Sequence, residues 1–160
     1  MIHNQAAFFT FASPLSNMFD CDFWVDGVRY HTSEQYIVEQ KALLFGDINT
    51  ANLVKSLSSP VHMKWRGKGV EGFNRAVWHK NAPSLILPGL RAKFEQVNVC
   101  RALLLATGAR LIVEASPHDK FWGVGLGLRD ERLWDQKSHQ GRNMMGNLLM
   151  TVRREIMSQI

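Results

Sequence analysis

Short apolar runs separated by turn residues predict that the chain begins with β-strands. Phe8-Phe9-Thr10-Phe11 is typical of a short strand, and Phe23-Trp24-Val25 and Val28-Arg29-Tyr30 flank Asp26-Gly27. An Asp-Gly pair between two such runs favours a two-residue hairpin turn. We therefore expect a small antiparallel sheet at the start of the chain, and a further, central strand at Arg110 to Ala115.

The positions after this sheet are spaced for helices. Thr32 and Ser33 are good N-cap residues, Gln35 can complete a capping box with Thr32, and Gly46 can end the segment. Later helical segments are expected at Ile48 to Leu57, a short turn from Pro60, Phe73 to His79, Pro83 to Val97, Val99 to Ala106 and Asn143 to Met157. The pattern predicts a helix-rich α+β fold around a small, mainly antiparallel sheet, as one domain over residues 1–160.

Two charged residues of the first helix fall on its apolar side. Ile37, Val38 and Phe45 form the apolar stripe, and at 100° per residue Glu34 and Lys41 lie on that same stripe. The two charges can form an ion pair that holds the helix to the sheet, or they can serve a function. Because inward charges are costly unless they are paired or used, we favour a functional role.

A loop with unusual chemistry follows the predicted central strand. Between Ser116 and Gly125 it contains Asp119, Trp122 and Gly123, so that a carboxylate lies beside a flat aromatic face. A large Trp gains little in a plain turn unless it packs or stacks. The loop is therefore a candidate site, although its glycines do not form the Gly-x-Gly-x-x-Gly fingerprint of a dinucleotide-binding fold.

The start of the last helix is a second candidate. Gly141-Arg142-Asn143 enters this helix, and the N–H groups of its first turn could bind a phosphate or a hydroxyl group. The simpler alternative is that Asn143 caps the helix.

Composition narrows the class of protein. The net charge of +5 and the isoelectric point near 9.5 favour anionic partners such as nucleotides or nucleic acid, or reflect a solvated basic surface. The two cysteines and the scattered histidines do not have the spacing of a metal site, so we expect neither a metal nor a cofactor. No run is apolar enough to span a membrane, and Met1 to Gln5 lack a secretory signal, which indicates the cytoplasm.

Ordered motifs from Phe9 to Arg153 carry a family resemblance. They are Pro14-Leu15-Ser16-Asn17-Met18-Phe19, Thr32-Ser33-Glu34-Gln35-Tyr36, Gln40-Lys41-Ala42, Lys93-Phe94, Val113-Glu114, Asp119 to Gly125, Gly141 to Gly146 and Leu149 to Arg153. With these motifs the chain resembles the NADAR (YbiA-like) family, which is linked to NAD and ADP-ribose metabolism. Two positions depart from the family's usual pattern, Gly67-Lys68 in place of Gly-Arg and Gln35 in place of His, and the loop at 129–136 is longer than in compact members.

The resemblance implies a metal-independent N-glycosidase. Its substrate would carry a bond between ribose C1 and an exocyclic amine of a heterocycle, either in ADP-ribosyl-guanine of DNA or RNA or in the phosphoribosylamino-pyrimidine intermediates of riboflavin synthesis. A non-catalytic ADP-ribose or nucleotide reader is the alternative. Cleavage needs proton transfer to the leaving amine and stabilisation of positive charge at C1.

The candidate residues take separate roles in this reaction. Glu34, which the helix dipole should keep ionised, is assigned to water activation or charge stabilisation, and Asp119 is the second acid/base. Lys41 permits a minor route through a Schiff base with the opened ribose. The substrate-binding candidates are Asn17, Trp78, Trp122, Gly123, Lys68, Asn143 and Arg153, with core packing an open alternative for Trp78 and a surface ion pair for Arg153.

Overall fold

Residues 4–160 are described in a computed structural model, and they form two compact units. One unit contains residues 17–98, and the other contains residues 4–16 together with 99–160. Met1 to His3, which contribute to the expectation about a secretory signal, lie outside the described residues. The helix-rich α+β class is confirmed, and a single domain over the whole chain stays a prediction.

Helices dominate both units. In chain order the elements are β1 (Gln5–Phe8), β2 (Phe23–Val25), β3 (Val28–Tyr30), α1 (Ser33–Leu44), α2 (Ile48–Lys55), α3 (Pro60–Lys68), α4 (Arg75–Gln96), α5 (Asn98–Ala106), β4 (Leu111–Glu114) and α6 (Met144–Met157). Two short 3-10 helices, Glu131–Trp134 and Gln136–Ser138, lie between β4 and α6.

The predicted hairpin is confirmed in the unit of residues 17–98. Strands β2 and β3 pair in antiparallel fashion, with Trp24 opposite Arg29. Asp26 and Gly27 have φ values of 49° and 78°, which is the left-handed geometry that a tight hairpin turn requires. Local turn chemistry therefore determines this element.

The start of α1 differs from the predicted capping box in one partner. Thr32 caps the helix by accepting a hydrogen bond of 3.1 Å from the Gln35 amide. The Gln35 side chain, however, accepts from the His31 amide and donates to the carbonyls of Val54 and Lys55. Gln35 is 1% exposed, so the oxygen and nitrogen of its side-chain amide need hydrogen-bond partners inside the fold. The nitrogen finds its partners at the end of α2.

Helix α1 is the centre of this unit, because α2, α3 and α4 all pack against it. Val38 meets Val54 of α2 and Met63 of α3 in one apolar cluster. Tyr36 meets α4 where the chain has Gly89, since a Cβ atom there would lie 2.3 Å from the tyrosine ring. Close approach of helices fixes the position of the first half of α1.

Helix α4 is continuous where two separate helices were predicted. Pro83 and Pro88 both lie inside it. Each proline removes a backbone donor and costs about 3 kcal/mol in a helix interior. The cost is offset because Trp78, Ala82 and Ile86 continue one buried stripe across Pro83. Likewise, the segment from Pro60 is a helix of 9 residues and not the predicted short turn.

The other unit has a parallel strand pair in place of an extension of the antiparallel sheet. Strand β1 ends at Phe8, earlier than predicted, and pairs in parallel with β4. The apolar residues of α6 that are buried are Met145, Leu148, Leu149, Val152 and Ile156. Helix α6 packs on β4, and Asn143 joins them: its Oδ1 accepts from the Glu114 amide at 3.0 Å, and its Nδ2 donates to the Ile112 carbonyl at 2.7 Å.

Replacing Asn143 should therefore destabilise this unit. Asn143→Ala leaves a buried amide and a buried carbonyl without their partners, and it places alanine at a φ of 51°. We expect the free energy of unfolding to fall by about 2 to 4 kcal/mol, measured by urea titration with circular dichroism. Asn147→Ala, an exposed position on the same helix, is the control and should change stability by less than about 0.5 kcal/mol. Equal effects of the two variants would contradict this account.

Candidate active site

Glu34 lies in the first turn of α1, where its backbone amide donates a 2.9 Å hydrogen bond to the Asn17 carbonyl. Its carboxyl group is partly buried. Burial raises the pKa of Glu34, although the positive charges of Lys64 and Lys41 act in the opposite direction. Desolvation therefore acts against the helix dipole, which was expected to keep this group ionised.

Lys41 lies two turns further along the same face of α1. Its ammonium group is 4.0 Å from the centre of the Phe73 ring and donates a hydrogen bond to the Gly67 carbonyl. Burial lowers the pKa of Lys41, and the charge of Glu34 partly opposes that shift. The structure thus brings these two predicted residues together, with their pKa values shifted toward each other.

Helix α3 supplies much of the environment of this pair. Gly67 packs so closely against Val38 that a Cβ atom would lie 2.7 Å from a valine methyl group. That approach places the Gly67 carbonyl at the Lys41 ammonium group. Lys64, one turn earlier on α3, is the largest electrostatic influence that lowers the pKa of Glu34. The sequence reasoning missed Lys64, because only packing shows that α3 lies beside Glu34.

Two polar atoms beside Glu34 are buried without a hydrogen-bond partner among residues 4–160. They are Oδ1 of Asn17 and Oγ of Ser33. Asn17 is one of the predicted substrate-binding residues, and its backbone lies next to that of Glu34. Its role in binding stays a prediction. Ser33 was considered only as a capping residue.

The two remaining candidates in this unit have different environments. Lys68 ends α3 and is exposed, on a shallow depression that Trp65 and Arg66 also line. Trp78 is only 5% exposed within α4. Its burial agrees with the core-packing alternative, and a role as a substrate wall has no support in this geometry.

In the other unit, Asp119 organises the loop that follows β4. Its Oδ1 accepts hydrogen bonds from the amides of Phe121 and Trp122, at 2.9 Å and 2.8 Å. The Trp122 ring is partly exposed and meets the Phe121 ring edge to face at 4.8 Å. One carboxylate oxygen therefore positions the indole, while the predicted acid/base role of Asp119 stays a prediction.

The start of α6 is occupied by this same loop. The amides of Asn143, Met144 and Met145 donate to the carbonyls of Gly123, Phe121 and Trp122, respectively. These amides were predicted to bind a phosphate, but they hold the loop against the helix. Asn143 does not cap the helix through its side chain either. The glycine at 123 is explained by packing, because a Cβ atom there would lie 2.8 Å from the Glu114 carbonyl.

Arg153 is engaged inside its own unit. Its Nη1 donates to Thr107 Oγ1 at 2.6 Å and to the Arg110 carbonyl at 2.9 Å. Only 9% of the residue is exposed, and burial lowers the pKa of its guanidinium group. These contacts tie α6 to the segment before β4, and the predicted phosphate contact has no support in this geometry.

Sequence reasoning also missed a buried polar network on α1. Glu39 is 3% exposed and accepts hydrogen bonds from the Tyr30 hydroxyl and, at 2.6 Å, from the Lys55 ammonium group. Burial raises the pKa of Tyr30, and its hydrogen bond to Glu39 adds to the shift. The available signal in the sequence was the spacing of Glu39 four residues after Gln35, which places both polar side chains on the same side of α1.

The described residues contain neither a metal-binding cluster nor a membrane-spanning helix. Among residues 4–160, no group of three or more His, Cys, Asp or Glu side chains is arranged to hold a metal ion. No helix in that part of the chain has both the length and the apolar character for crossing a membrane.

Known proteins match this chain over most of its length. The NADAR domain family matches residues 6–157. N-glycosidase R617 of Acanthamoeba polyphaga mimivirus is 37% identical over 127 residues, which are 79% of this chain and 75% of that protein. N-glycosidase YbiA of Escherichia coli (strain K12) is 34% identical over 133 residues, which are 82% of this chain and 74% of that protein.

A solved structure and a more distant relative extend these matches. The NMR structure of the E. coli protein YbiA superimposes with a TM-score of 0.78 at 29% identity, covering 99% of this chain and 89% of that one. The chloroplastic riboflavin biosynthesis protein PYRR of Zea mays is 25% identical over 138 residues, which are 86% of this chain but 20% of that protein. The chain therefore belongs to the NADAR family, as its sequence motifs predicted, and it is an N-glycosidase.

Proposed function

We propose that this N-glycosidase cleaves the bond between ribose C1 and an exocyclic amine of a heterocycle, with Glu34 and Lys41 as its catalytic residues. The observation that carries the proposal is the placement of both charged groups on one face of α1, each of them partly desolvated. Opposed pKa shifts in a neighbouring acid and base are typical of proton-transfer chemistry.

Glu34 is suited to deliver a proton to the leaving amine. A carboxyl group whose pKa is raised by burial holds its proton closer to neutral pH. Once the amine has left with that proton, the carboxylate can take a proton from the attacking water. The same group thus acts first as acid and then as base.

Lys41 is suited to act as a nucleophile. A lysine with a lowered pKa is more often neutral, and only the neutral amine attacks. In this route the ribose ring opens to an imine, the Lys41 amine adds to C1, and the heterocyclic amine leaves with the proton of Glu34. Water then adds to C1 of the lysine Schiff base and releases the ribose. Direct attack by water on an oxocarbenium ion is the alternative.

Two kinds of substrate contain a bond between ribose C1 and an exocyclic amine, and different observations favour each. The riboflavin biosynthesis protein of Zea mays is a relative, which supports a phosphoribosylamino-pyrimidine. The charge of +5 and the exposed basic end of α3 support ADP-ribosyl-guanine in DNA or RNA. The candidate Asn17, whose carbonyl accepts a hydrogen bond from the Glu34 amide, would contact the ribose.

Mass spectrometry with both substrates tests this function. The wild-type protein should release the intact heterocyclic amine from at least one of them in the presence of EDTA. Glu34→Gln cannot transfer the proton, and we expect its kcat to fall by about 10²- to 10⁴-fold. Glu71→Gln, an exposed position in the same unit, is the matched control and should stay within about twofold of wild type. Failure of the folded wild-type protein on both substrates would contradict the proposal.

Borohydride reduction distinguishes the two routes. If Lys41 forms a Schiff base, sodium borohydride added during turnover should inactivate the enzyme and leave a ribose adduct on the peptide that contains Lys41. Lys41→Arg keeps the positive charge but is not nucleophilic, so it should give no adduct and lose turnover. Normal turnover without an adduct in wild type would assign the reaction to direct attack by water.

The raised pKa of Glu34 also predicts how stability changes with pH. The folded state binds the Glu34 proton more tightly than the unfolded state, whose pKa is near 4.5. The stabilisation is complete below that value and is lost as pH rises through the folded pKa. Glu34→Gln should therefore become increasingly stable relative to wild type between pH 4 and pH 7, as measured by urea unfolding. Parallel stability curves for the two proteins would show that burial does not shift this group.

A further inference from the structure

Helix α3 presents a basic and aromatic surface to solvent. Val61, Lys64, Trp65 and Lys68 are spaced to share one side of the helix, opposite the buried residues Met63 and Gly67. Trp65 is 65% exposed and Val61 is 61% exposed. We call this surface, together with Arg66 at its edge, the α3 face.

The cations of the α3 face are available to a ligand. Lys64, Arg66 and Lys68 form no ion pair with any side chain among residues 4–160. The guanidinium group of Arg66 lies 5.1 Å from the centre of the Trp65 ring. Trp65, Arg66 and Lys68 also line a shallow depression with Thr50 and Gly69. An indole beside unpaired cations can stack on a base while the cations contact phosphates.

The hairpin contains a similar pair that lacks this property. Trp24 is 49% exposed, with the guanidinium group of Arg29 at 5.8 Å from its ring. Arg29, however, forms an ion pair with Asp22. The hairpin pair is therefore locally neutralised, whereas the α3 face keeps its positive charge.

The α3 face is also connected to the proposed catalytic pair. Lys64 lies on this face, and its positive charge acts on Glu34. A ligand along α3 would thus extend toward Glu34. We propose that the α3 face binds single-stranded nucleic acid, with Trp65 stacking on a base and Lys64, Arg66 and Lys68 contacting the phosphates. This inference rests on the proposed function in one respect, namely that the bound strand would carry the bond that the enzyme cleaves.

Binding of an unmodified oligonucleotide tests the surface apart from catalysis, since it has no ribosylamine bond to cleave. We expect the full chain to bind a fluorescein-labelled single-stranded DNA 12-mer with a log K against log salt slope of about −2, for three phosphate contacts. Trp65→Ala should weaken binding about tenfold, and Lys68→Ala should reduce the slope by about 0.7. Trp24→Ala is the matched control and should bind like wild type.

Several outcomes would overturn the inference. Binding by Trp65→Ala within twofold of wild type, with its circular dichroism unchanged, would show that the indole does not stack. Equal losses in Trp65→Ala and Trp24→Ala would show that binding does not depend on the α3 face. Equal affinity for duplex DNA would show that the α3 face does not select single strands. This test measures affinity and not cleavage. A protein that cleaves neither proposed substrate can therefore still bind the oligonucleotide through the α3 face, and an active enzyme can lack this binding.

Discussion

Helix α1 must place polar side chains inside the fold on two of its sides. On one side Gln35 and Glu39, 1% and 3% exposed, are surrounded by hydrogen-bond partners. On another side Glu34 and Lys41 are partly buried with far fewer partners. A buried polar group stabilises a fold only when it is satisfied. The first side therefore stabilises the unit of residues 17–98, and the second side contains the proposed catalytic pair.

The hydrogen bonds of Gln35 and Glu39 offset the free-energy cost of burying Glu34 and Lys41. Desolvation of Glu34 and Lys41 disfavours their charged forms and lowers the stability of the folded state at neutral pH. Gln35 closes the end of α2, and Glu39 joins β3 to α2 through Tyr30 and Lys55. These contacts fix the side of α1 that faces the core, and with it the positions of Glu34 and Lys41. Rigid support of this kind is what a catalytic pair requires.

Local signals predicted the elements whose conformation depends on local chemistry. The Asp26-Gly27 turn and the Thr32 cap were predicted because each depends on residues within a few positions. Helix α4 was split at Pro83, since the packing that carries it through the proline comes from distant parts of the chain. The partners of Asn143 lie 29 and 31 residues away, so the sequence favoured a cap or a phosphate site over a link to β4.

The same distinction applies to the candidate site. Glu34 and Lys41 were identified because helical periodicity alone places them on one apolar face. The effect of burial on the pKa of Glu34 was not predicted, because the dipole of α1 is visible in the sequence and the amount of burial is not. Lys64 was missed for the same reason, since it reaches Glu34 only through the packing of α3 on α1 at Gly67 and Val38.

Lys64 would connect the two proposals through one charge. It is the main electrostatic influence that holds the pKa of Glu34 down against burial. A phosphate bound at Lys64 would neutralise that influence, and the pKa of Glu34 would rise further. Binding of an anionic strand on the α3 face would thus load Glu34 with the proton that the leaving amine needs. In the free enzyme, the charge of Lys64 opposes the effect of burial and keeps the pKa of Glu34 lower than it would be with a phosphate bound.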